Sequence, residues 1–243
     1  MRARIRAGAL TGLLLMSTSA HAQPAAPEDV FRAGNEHAAK GRFDEALLEY
    51  GRLERSGVSA PSLFWNWAQV ASASGKKGET LWALLRARQL APVDPSVRRE
   101  TERVRLELGL DPAETSLGLV GDLALLARRN RFDVLALLCL ILSLVLLALG
   151  KPRLGLSRIL ILAGALLALP YPLERWSDPR GVVVRKDAPL VDIPRADAVH
   201  LASLREGEVV PLLGEEGEYV KIQDASGARG FALRSDVRKI GMD

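Results

Sequence analysis

The residues that could carry chemistry are few in this chain of 243 residues. Histidine occurs three times, at His21, His37 and His200, and cysteine once, at Cys139. A single cysteine cannot form an intrachain disulfide, and so few Cys and His residues exclude a Cys/His zinc site. They also disfavour a histidine-based catalytic triad. We therefore predict a protein that is not an enzyme and that binds neither a metal nor another cofactor.

Three short motifs resemble parts of active sites but lack the rest of such a site. Ser74-Gly-Lys-Lys77 matches the S-x-x-K pattern of acylating serine enzymes without any companion motif. Residues 75–80 resemble a phosphate loop, yet they lack its glycine spacing and its preceding strand. The pair Glu215 and Glu216 is more typical of a solvated hairpin turn than of a glycosidase cleft. We interpret none of the three as a catalytic site.

The charge balance excludes one class of partner. Lys and Arg number 33 against 29 acidic residues, which gives a net charge of +4. Arg2, Arg4 and Arg6 supply three of these charges, and without them 30 basic residues face 29 acidic ones. Because a nucleic-acid-binding protein needs a basic face, the sequence predicts no nucleic-acid partner.

The N-terminus has the three parts of a secretory signal. A basic leader at residues 2–6 precedes an uncharged apolar run at residues 7–16, and small residues end at Ala20-His21-Ala22. We predict a signal peptide over residues 1–22, which places the residues that follow outside the cytoplasm. An uncleaved or amphipathic N-terminal anchor is the alternative interpretation.

Two apolar runs in the middle of the chain predict a membrane hairpin. Residues 134–149 and 159–173 contain no charged side chain. With their flanks, residues 132–150 and 154–173, they reach about the 20 residues that a transmembrane helix needs. The stretch between them allows only a tight connection, so the two helices are expected to be antiparallel. A buried hairpin of a soluble protein is the alternative, and in either case Cys139 is interpreted as a lipid-facing or packing residue.

The orientation of this hairpin follows from its flanking charges and from the export signal. The connection is basic and contains no acidic residue, which favours the cytoplasmic side; its charges are Lys151, Arg153 and Arg158. Arginines within residues 128–131 weaken this rule, and the export signal decides between the two orientations. We predict a protein of the inner (cytoplasmic) membrane with both soluble parts on the periplasmic side and with Tyr171 and Trp176 at the outer interface.

Residues 28–109 contain an internal repeat with a spacing of 34 residues. The equivalent pairs are Gly34 and Ala68, Gly41 and Gly75, Ala46 and Thr80, and Tyr50 and Leu84. This pattern resembles the tetratricopeptide repeat, in which small residues let paired helices approach each other. We expect two helix pairs, then a capping helix over residues 96–108 with a polar outer face, and then a linker over residues 110–131.

The resemblance implies that the first helix of each pair lines a groove for a partner protein. The groove residues would be Phe31, Asn35, Trp65, Asn66 and Gln69. Asn35 and Asn66 match positions at which some repeat proteins hold a partner's C-terminal carboxylate, although Phe31 stands where those proteins have Lys. Packing is the alternative role for Trp65.

From residue 181 onward the sequence changes to short β-rich runs separated by glycine turns. About five strands over residues 181–243 predict a small all-β barrel. The segments Leu204-Arg-Glu-Gly-Glu-Val-Val, Gly217-Glu-Tyr-Val-Lys-Ile and Gly227-Ala-Arg-Gly-Phe-Ala resemble the bacterial SH3-type domain. Tyr219 and Phe231 stand where that family has Trp, and they are candidates for a shallow ligand groove, with core packing as the alternative.

The order of signal, helical repeats, membrane hairpin and SH3-like barrel resembles the BatE-type proteins of the Bat aerotolerance operons. The resemblance implies a multidomain membrane protein that serves as a non-enzymatic scaffold or adaptor. Its partners would be other envelope proteins, namely von Willebrand-type membrane proteins and a MoxR-type ATPase, together with membrane lipid. The alternative is an envelope sensor whose SH3-like domain binds peptidoglycan or a peptide.

Overall fold

The structure is a computed structural model that describes residues 26–148, 154–170, 172, 179–195 and 197–241. The predicted signal peptide (1–22) and the predicted interface residues Tyr171 and Trp176 lie outside these residues, as does the connection at 149–153. The described residues form eight α-helices followed by a seven-stranded antiparallel sheet. This order confirms the expectation of a helical part followed by a C-terminal β part.

The first four helices form two helix pairs. Helices α1 (Pro27–Ala39) and α2 (Phe43–Arg55) make one pair, and α3 (Pro61–Ala73) and α4 (Lys77–Leu90) make the next. Equivalent helices begin 34 residues apart, at 27 and 61 and again at 43 and 77. The spacing found in the sequence is therefore the spacing of the helix pairs. Helix α5 (Pro95–Glu107) follows, with the Asp94 side chain accepting hydrogen bonds at its N-terminus.

The equivalent small residues occupy equivalent places in the two pairs. Gly41 and Gly75 end the turns before α2 and α4 with φ of +70° and +76°, a conformation that glycine adopts without strain. Gly34 lies where α1 meets α2, and a Cβ there would stand 2.6 Å from Tyr50 Cε1. Ala68, its counterpart in α3, is fully buried. The repeat thus records where the backbone must turn and where two helices touch.

The stretch expected as a linker, residues 110–131, contains regular structure. It holds a short 3-10 helix (Pro112–Thr115) and helix α6 (Gly118–Arg129). At the start of α6, Asp122 accepts hydrogen bonds from Ser116 Oγ at 2.5 Å and from the Leu117 backbone N–H at 3.3 Å. Arg128 Nη1 donates to the Gln89 carbonyl at 3.4 Å, so α6 is fixed to the end of α4.

The two apolar runs form helices α7 (Phe132–Ala148) and α8 (Leu154–Ala168), which pack against each other. Within the described residues, neither helix alone has both the length and the apolar composition needed to cross a membrane. Residues 119–129 and α7 meet those requirements together, but they form a pair bent by 68°.

The β-domain has seven strands where the sequence predicted about five. Their order in the sheet is β3-β2-β6-β5-β4-β1-β7, and every pairing is antiparallel. The sheet curls around one apolar cluster to which every strand contributes a side chain. The strands are β1 (Arg180–Val183), β2 (Ala188–Val191), β3 (His200–Leu204), β4 (Val209–Glu216), β5 (Tyr219–Gln223), β6 (Arg229–Leu233) and β7 (Val237–Ile240).

A second apolar cluster joins the helical and β parts. It fills the space between α1 and α5, with Trp67 and Trp82 at its centre, and it continues into the β-domain. The β-domain contributes Val182, Val209 and Ile240 to this cluster. Helix α4 contacts both β1 and β7 directly, so the helical and β parts share one core.

Candidate partner-binding surfaces

Two asparagines of the predicted groove contact each other. Asn35 on α1 accepts a hydrogen bond from Asn66 Nδ2 on α3 at 2.9 Å and a second one from the Tyr50 hydroxyl at 2.8 Å. Among the described residues, Asn35 Nδ2 and Asn66 Oδ1 have no further partner, so the pair retains one amide donor group and one carbonyl acceptor. This is the complement of a peptide backbone.

The other groove candidates occupy three different environments. Gln69 is exposed on α3, whereas Trp65 and Phe31 are half-buried and pack on the apolar cluster. The Phe31 ring also lies 6.1 Å from the Tyr50 ring. Polar contacts on this face are therefore centred on Asn35 and Asn66, and Trp65 combines packing with a partly accessible surface.

A series of aromatic rings leads from this face to the β-domain. Tyr50 follows Phe31, with its ring centroid 6.1 Å from that of Trp67, and Trp67 lies 5.0 Å from Trp82 at an angle of 72°. Phe64 packs against both tryptophans, and the rings are in the spacing at which aromatic pairs attract each other. Burial raises the pKa of the Tyr50 hydroxyl to about 12.

Arg238 of β7 joins the β-domain to this series of rings. Its guanidinium lies 3.6 Å from the centre of the Trp82 ring and 4.5 Å from that of Trp67. Its nitrogens donate to Glu79 Oε1 at 3.0 Å and to Glu54 Oε2 at 2.5 Å. The Arg238 side chain retains a quarter of its exposure, so the cation is held between two rings and two carboxylates.

Two opposing effects act on the charge of Arg238 at this joint. Burial lowers the pKa of Arg238, and the charges of Glu54 and Glu79 act in the opposite direction. Glu79 Oε1 also accepts a hydrogen bond from Trp67 Nε1 at 2.8 Å. Trp82 Nε1, the remaining indole donor, donates to the Lys239 carbonyl of β7 at 2.9 Å. The polar groups at this joint are thus paired in the low-dielectric environment where an unpaired one would cost most.

Three further contacts join the helical and β parts. Gly78 at the start of α4 donates its backbone N–H to Glu206 Oε1 at 2.6 Å. Arg205 contacts the segment that follows α5, where Nη1 pairs with Glu114 at 2.5 Å and Nη2 donates to the Gly109 carbonyl at 2.7 Å. We define the interdomain joint as Arg238, Trp82 and these contacts.

The two candidates in the β-domain lie on its outer face. The register pairs Lys221 with Phe231 and Tyr219 with Leu233, and side chains alternate along a strand, so these four side chains share one face. The opposite face of the same strands supplies Val220, Ile222 and Ala232 to the β-core. Tyr219 is half-buried, whereas Phe231 is buried with 8% of its surface exposed, so packing is the role that fits Phe231 better. Lys221 Nζ lies 5.6 Å from the centre of the Phe231 ring.

The motifs that resembled active sites have structural roles. Ser74 Oγ donates to the Ala71 carbonyl at 3.0 Å at the end of α3, and Lys76 pairs with Asp44 at 2.8 Å. The hydroxyl is therefore committed to a helix end. Among the described residues, no three His, Cys, Asp or Glu side chains are grouped as metal ligands.

Sequence reasoning missed the interdomain joint altogether. Arg238 is separated from Glu79 by 159 positions and from Glu54 by 184, and no motif marks either pair. Three of the four tryptophans, Trp65, Trp67 and Trp82, lie in the second helix pair, but this clustering does not indicate which strand they contact. A contact between residues so far apart in sequence can be recognised only when the packing of the helical part against the β part is known.

Comparison with known proteins adds no further assignment. No protein family matches the chain, and neither a curated protein nor a solved structure is significantly similar to it.

Proposed function

We propose that this protein is a non-enzymatic scaffold held at a membrane by the α7–α8 hairpin. The joined helical and β parts would form the body that it presents to other proteins. The observation that carries the proposal is the hairpin itself, whose two serines face inward and whose leucines and isoleucines are largely exposed on its outer surface.

The contact between α7 and α8 is made by small and polar residues. Ser143 and Ser157 are fully buried, and their hydroxyl oxygens lie 2.9 Å apart. At Gly164 a Cβ would stand 3.2 Å from the Ala136 carbonyl oxygen, so the two backbones approach closely. Interfaces of this kind, with small residues and interhelical hydrogen bonds, are typical of helices that pack within a bilayer.

The outer surface of the hairpin is apolar over most of its length. Half or more of the side-chain surface of many leucines and isoleucines is exposed, including Leu137, Leu138, Ile141, Leu144, Leu156, Ile159, Leu162 and Leu166. A soluble monomer rarely exposes an apolar surface of this extent, whereas lipid chains would cover it at no cost. Lipid is therefore the surrounding that this surface fits.

The contact between the helical and β parts supports a hairpin that enters and leaves on one side. Trp82 and Lys239 are hydrogen-bonded, although the hairpin lies between them in the chain. Two parts in direct contact must lie on the same side of any membrane, which requires an even number of crossings. The export signal predicted at residues 1–22 would make that side the periplasmic one.

We further propose that the helix pairs act as tetratricopeptide-like repeats and that the β-domain is SH3-like. The 34-residue spacing and the Asn35–Asn66 pair support a partner-binding face on α1 and α3. The resemblance to BatE-type proteins makes von Willebrand-type membrane proteins and a MoxR-type ATPase the partners to test first.

An envelope sensor is the second candidate function, and one observation favours it. Tyr219 and Lys221 form a partly accessible aromatic and cationic surface on the β-domain, and the Lys221 ammonium lies 5.6 Å from the centre of the buried Phe231 ring. Such a surface suits a peptide or the acidic, amide-rich chains of peptidoglycan. Retention of the full chain in detergent by isolated cell-wall material, with loss of retention in Tyr219→Ala, would favour the sensor, and absence of retention would favour the scaffold.

Alkaline carbonate extraction of membrane vesicles tests the anchor. We expect the full chain to remain in the pellet, and we expect the double variant Leu138→Arg with Leu142→Arg to move to the supernatant. Each arginine costs about 3 kcal/mol at the centre of a membrane helix, whereas an exposed leucine in water is replaced without penalty. Leu48→Arg is the control, because Leu48 on α2 is exposed at 64%, somewhat more than Leu138 at 55% and Leu142 at 50%, but lies outside the hairpin. Release of the unmodified chain would refute the anchor.

A further inference from the structure

An arginine-rich cleft lies beside the hairpin and belongs to none of the surfaces described above. The end of α4, helix α5, the 3-10 helix and α6 enclose a cavity of about 340 Å³. Four arginines line it against two carboxylates; the charged residues are Arg88, Arg98, Arg105, Arg129, Glu102 and Asp122. The cleft therefore carries a surplus of two positive charges.

Both carboxylates of the cleft are already engaged. Glu102 binds Arg105 through two hydrogen bonds of 2.9 and 2.5 Å, and Asp122 accepts from Ser116 and from a backbone N–H. By contrast, within the described part of the chain the guanidinium groups of Arg88, Arg98 and Arg129 make no hydrogen bond and no ion pair. Three guanidinium groups that have no hydrogen-bond or ion-pair partner among the described residues thus line one partly enclosed site.

The pKa of Arg88 reflects the grouping of these positive charges. Burial lowers its pKa, and the neighbouring cations Arg129 and Arg98 act in the same direction, while Asp122 and Glu102 only partly offset them. An anion placed among the three guanidinium groups would remove this repulsion. Guanidinium groups bind phosphate through paired N–H donors, and the fixed geometry of these donors matches that of a phosphate group.

Helix α6 connects this cleft to the membrane surface. Leu119, Leu123 and Leu126 form an exposed stripe along α6, with 78%, 45% and 47% of their surfaces exposed. Leu126 also lines the cleft, so the stripe and the cavity are continuous. Because this segment is bent by 68° from α7, it runs nearly along the bilayer surface if α7 crosses the bilayer. A short helix with one apolar face and terminal arginines is suited to the headgroup layer.

We propose that the cleft binds the phosphate group of an anionic phospholipid whose acyl chains lie against the leucine stripe of α6. The inference rests on the membrane anchor proposed above. It assigns the arginines a role that the hairpin alone does not need, namely to hold the helical part at a fixed angle to the membrane. A freely diffusing phosphate is the other source of the same chemistry, and the experiment separates the two.

The test titrates the purified full chain in neutral detergent with fluorescent phosphatidylglycerol and follows binding by fluorescence anisotropy. The double variant Arg98→Gln with Arg129→Gln should weaken binding by about tenfold for each arginine, because each hydrogen bond to a charged group is lost. The control Arg99→Gln with Arg52→Gln removes the same charge from exposed positions outside the cleft and should leave the affinity within about twofold.

Three results would overturn the proposal. They are equal binding of phosphatidylcholine, an unchanged affinity in Arg98→Gln with Arg129→Gln, or displacement of the lipid by inorganic phosphate at constant ionic strength; the last would assign the cleft to a soluble phosphate. Carbonate extraction of the same variants separates this inference from the anchor. If the parent chain stays in the pellet while the double variant binds lipid as the parent does, only the lipid site fails.

Discussion

At the scale of single residues, Tyr50 connects the packing that is repeated in the two helix pairs to the predicted groove. Its ring is buried between Phe31 and Trp67, and its hydroxyl donates to Asn35. The same residue therefore packs the core and positions the carbonyl that accepts from Asn66. Its ionisation is opposed by burial, which makes the stability of the helical part sensitive to alkaline pH.

Tyr50→Phe should destabilise the protein near neutral pH but make it more stable than the parent at strongly alkaline pH. Near neutral pH the variant should lose about 1 kcal/mol with its hydrogen bond to Asn35. The tyrosine pKa is 10.0 when unfolded and about 12 when folded, so the folded parent retains a proton that the unfolded parent loses between these values. The parent should therefore lose about 2 to 3 kcal/mol across this window, and the variant should not. Denaturant unfolding of both proteins at several pH values gives the difference; parallel pH profiles would contradict the prediction.

Residue-scale features that repeat in the sequence could be predicted, and features that occur once could not. The positions of Gly34, Gly41 and Tyr50 follow from the 34-residue spacing, because each has a counterpart with the same role. Asn35 and Asn66 lie 31 positions apart and are not counterparts in this spacing, and the resemblance to the tetratricopeptide repeat is what predicts that they share one face. Arg238 has no counterpart, and its role depends on how two separate parts dock, which no local pattern encodes.

At the scale of elements, α4 packs against two different parts of the protein, and its contact with the β-domain requires a residue that disfavours a helix. It packs in the second helix pair and it also carries the β-domain. At Gly78 a Cβ would stand 2.8 Å from the Val183 carbonyl oxygen and 2.8 Å from Glu206 Cγ. Glycine is a poor helix former, but here it allows the backbone of α4 to touch β1.

Gly78→Ala should destabilise the protein although alanine favours the helix. The gain in helix propensity is at most about 1 kcal/mol, whereas the clash with the β1 backbone should cost about 2 kcal/mol or more. Gly214→Ala is the matched control, because a Cβ at Gly214 meets nothing within 4 Å. Thermal unfolding of the full chain in detergent should show a lowered Tm for the first variant and an unchanged one for the second. A raised Tm in Gly78→Ala would mean that α4 does not touch the sheet.

The elements that escaped sequence prediction share a physical reason. Strand β2 contains Pro189, which is unusual in a strand, and β3 exposes most of its side chains. Neither segment shows the alternation that identifies a half-buried strand. Helix α6 was not recognised in a stretch that reads as a linker, because it is short and its apolar residues lie on both its buried side, with Leu125, and its exposed side, with Leu119 and Leu123.

At the scale of the whole molecule, the helical and β parts behave as one body. The sequence predicts two modules held near each other, because each has its own composition and its own spacing of apolar residues. The shared cluster and the interdomain joint add a rigid connection to that description. Any surface on α1 and α3 is therefore presented in a fixed relation to the outer face of β5 and β6.

Arg238→Ala should separate the unfolding of the two parts. The substitution leaves Glu54 and Glu79 without their cation and removes the side chain stacked on Trp82, at a cost of about 3 kcal/mol. Hydrogen exchange followed by mass spectrometry should show β7 and α4 losing protection together in the parent and β7 losing it first in the variant.

Arg234→Ala is the matched control for this substitution. Arg234 pairs with Glu215, and both side chains are more than half exposed, so the loss should be within about 0.5 kcal/mol. Exchange rates of β7 that rise equally in both variants would indicate that Arg238 is an ordinary surface charge.

The hydrogen bond between Trp82 and Lys239 also has a consequence for biogenesis. The two residues are 157 positions apart, and the ribosome needs on the order of 10 s to synthesise such a stretch. During that interval the indole and the apolar surface around it have no strand to cover them. The nascent chain therefore passes through an aggregation-prone stage in which it exposes an apolar surface that is buried in the folded protein. A chaperone that shields aromatic surfaces is most useful during those seconds.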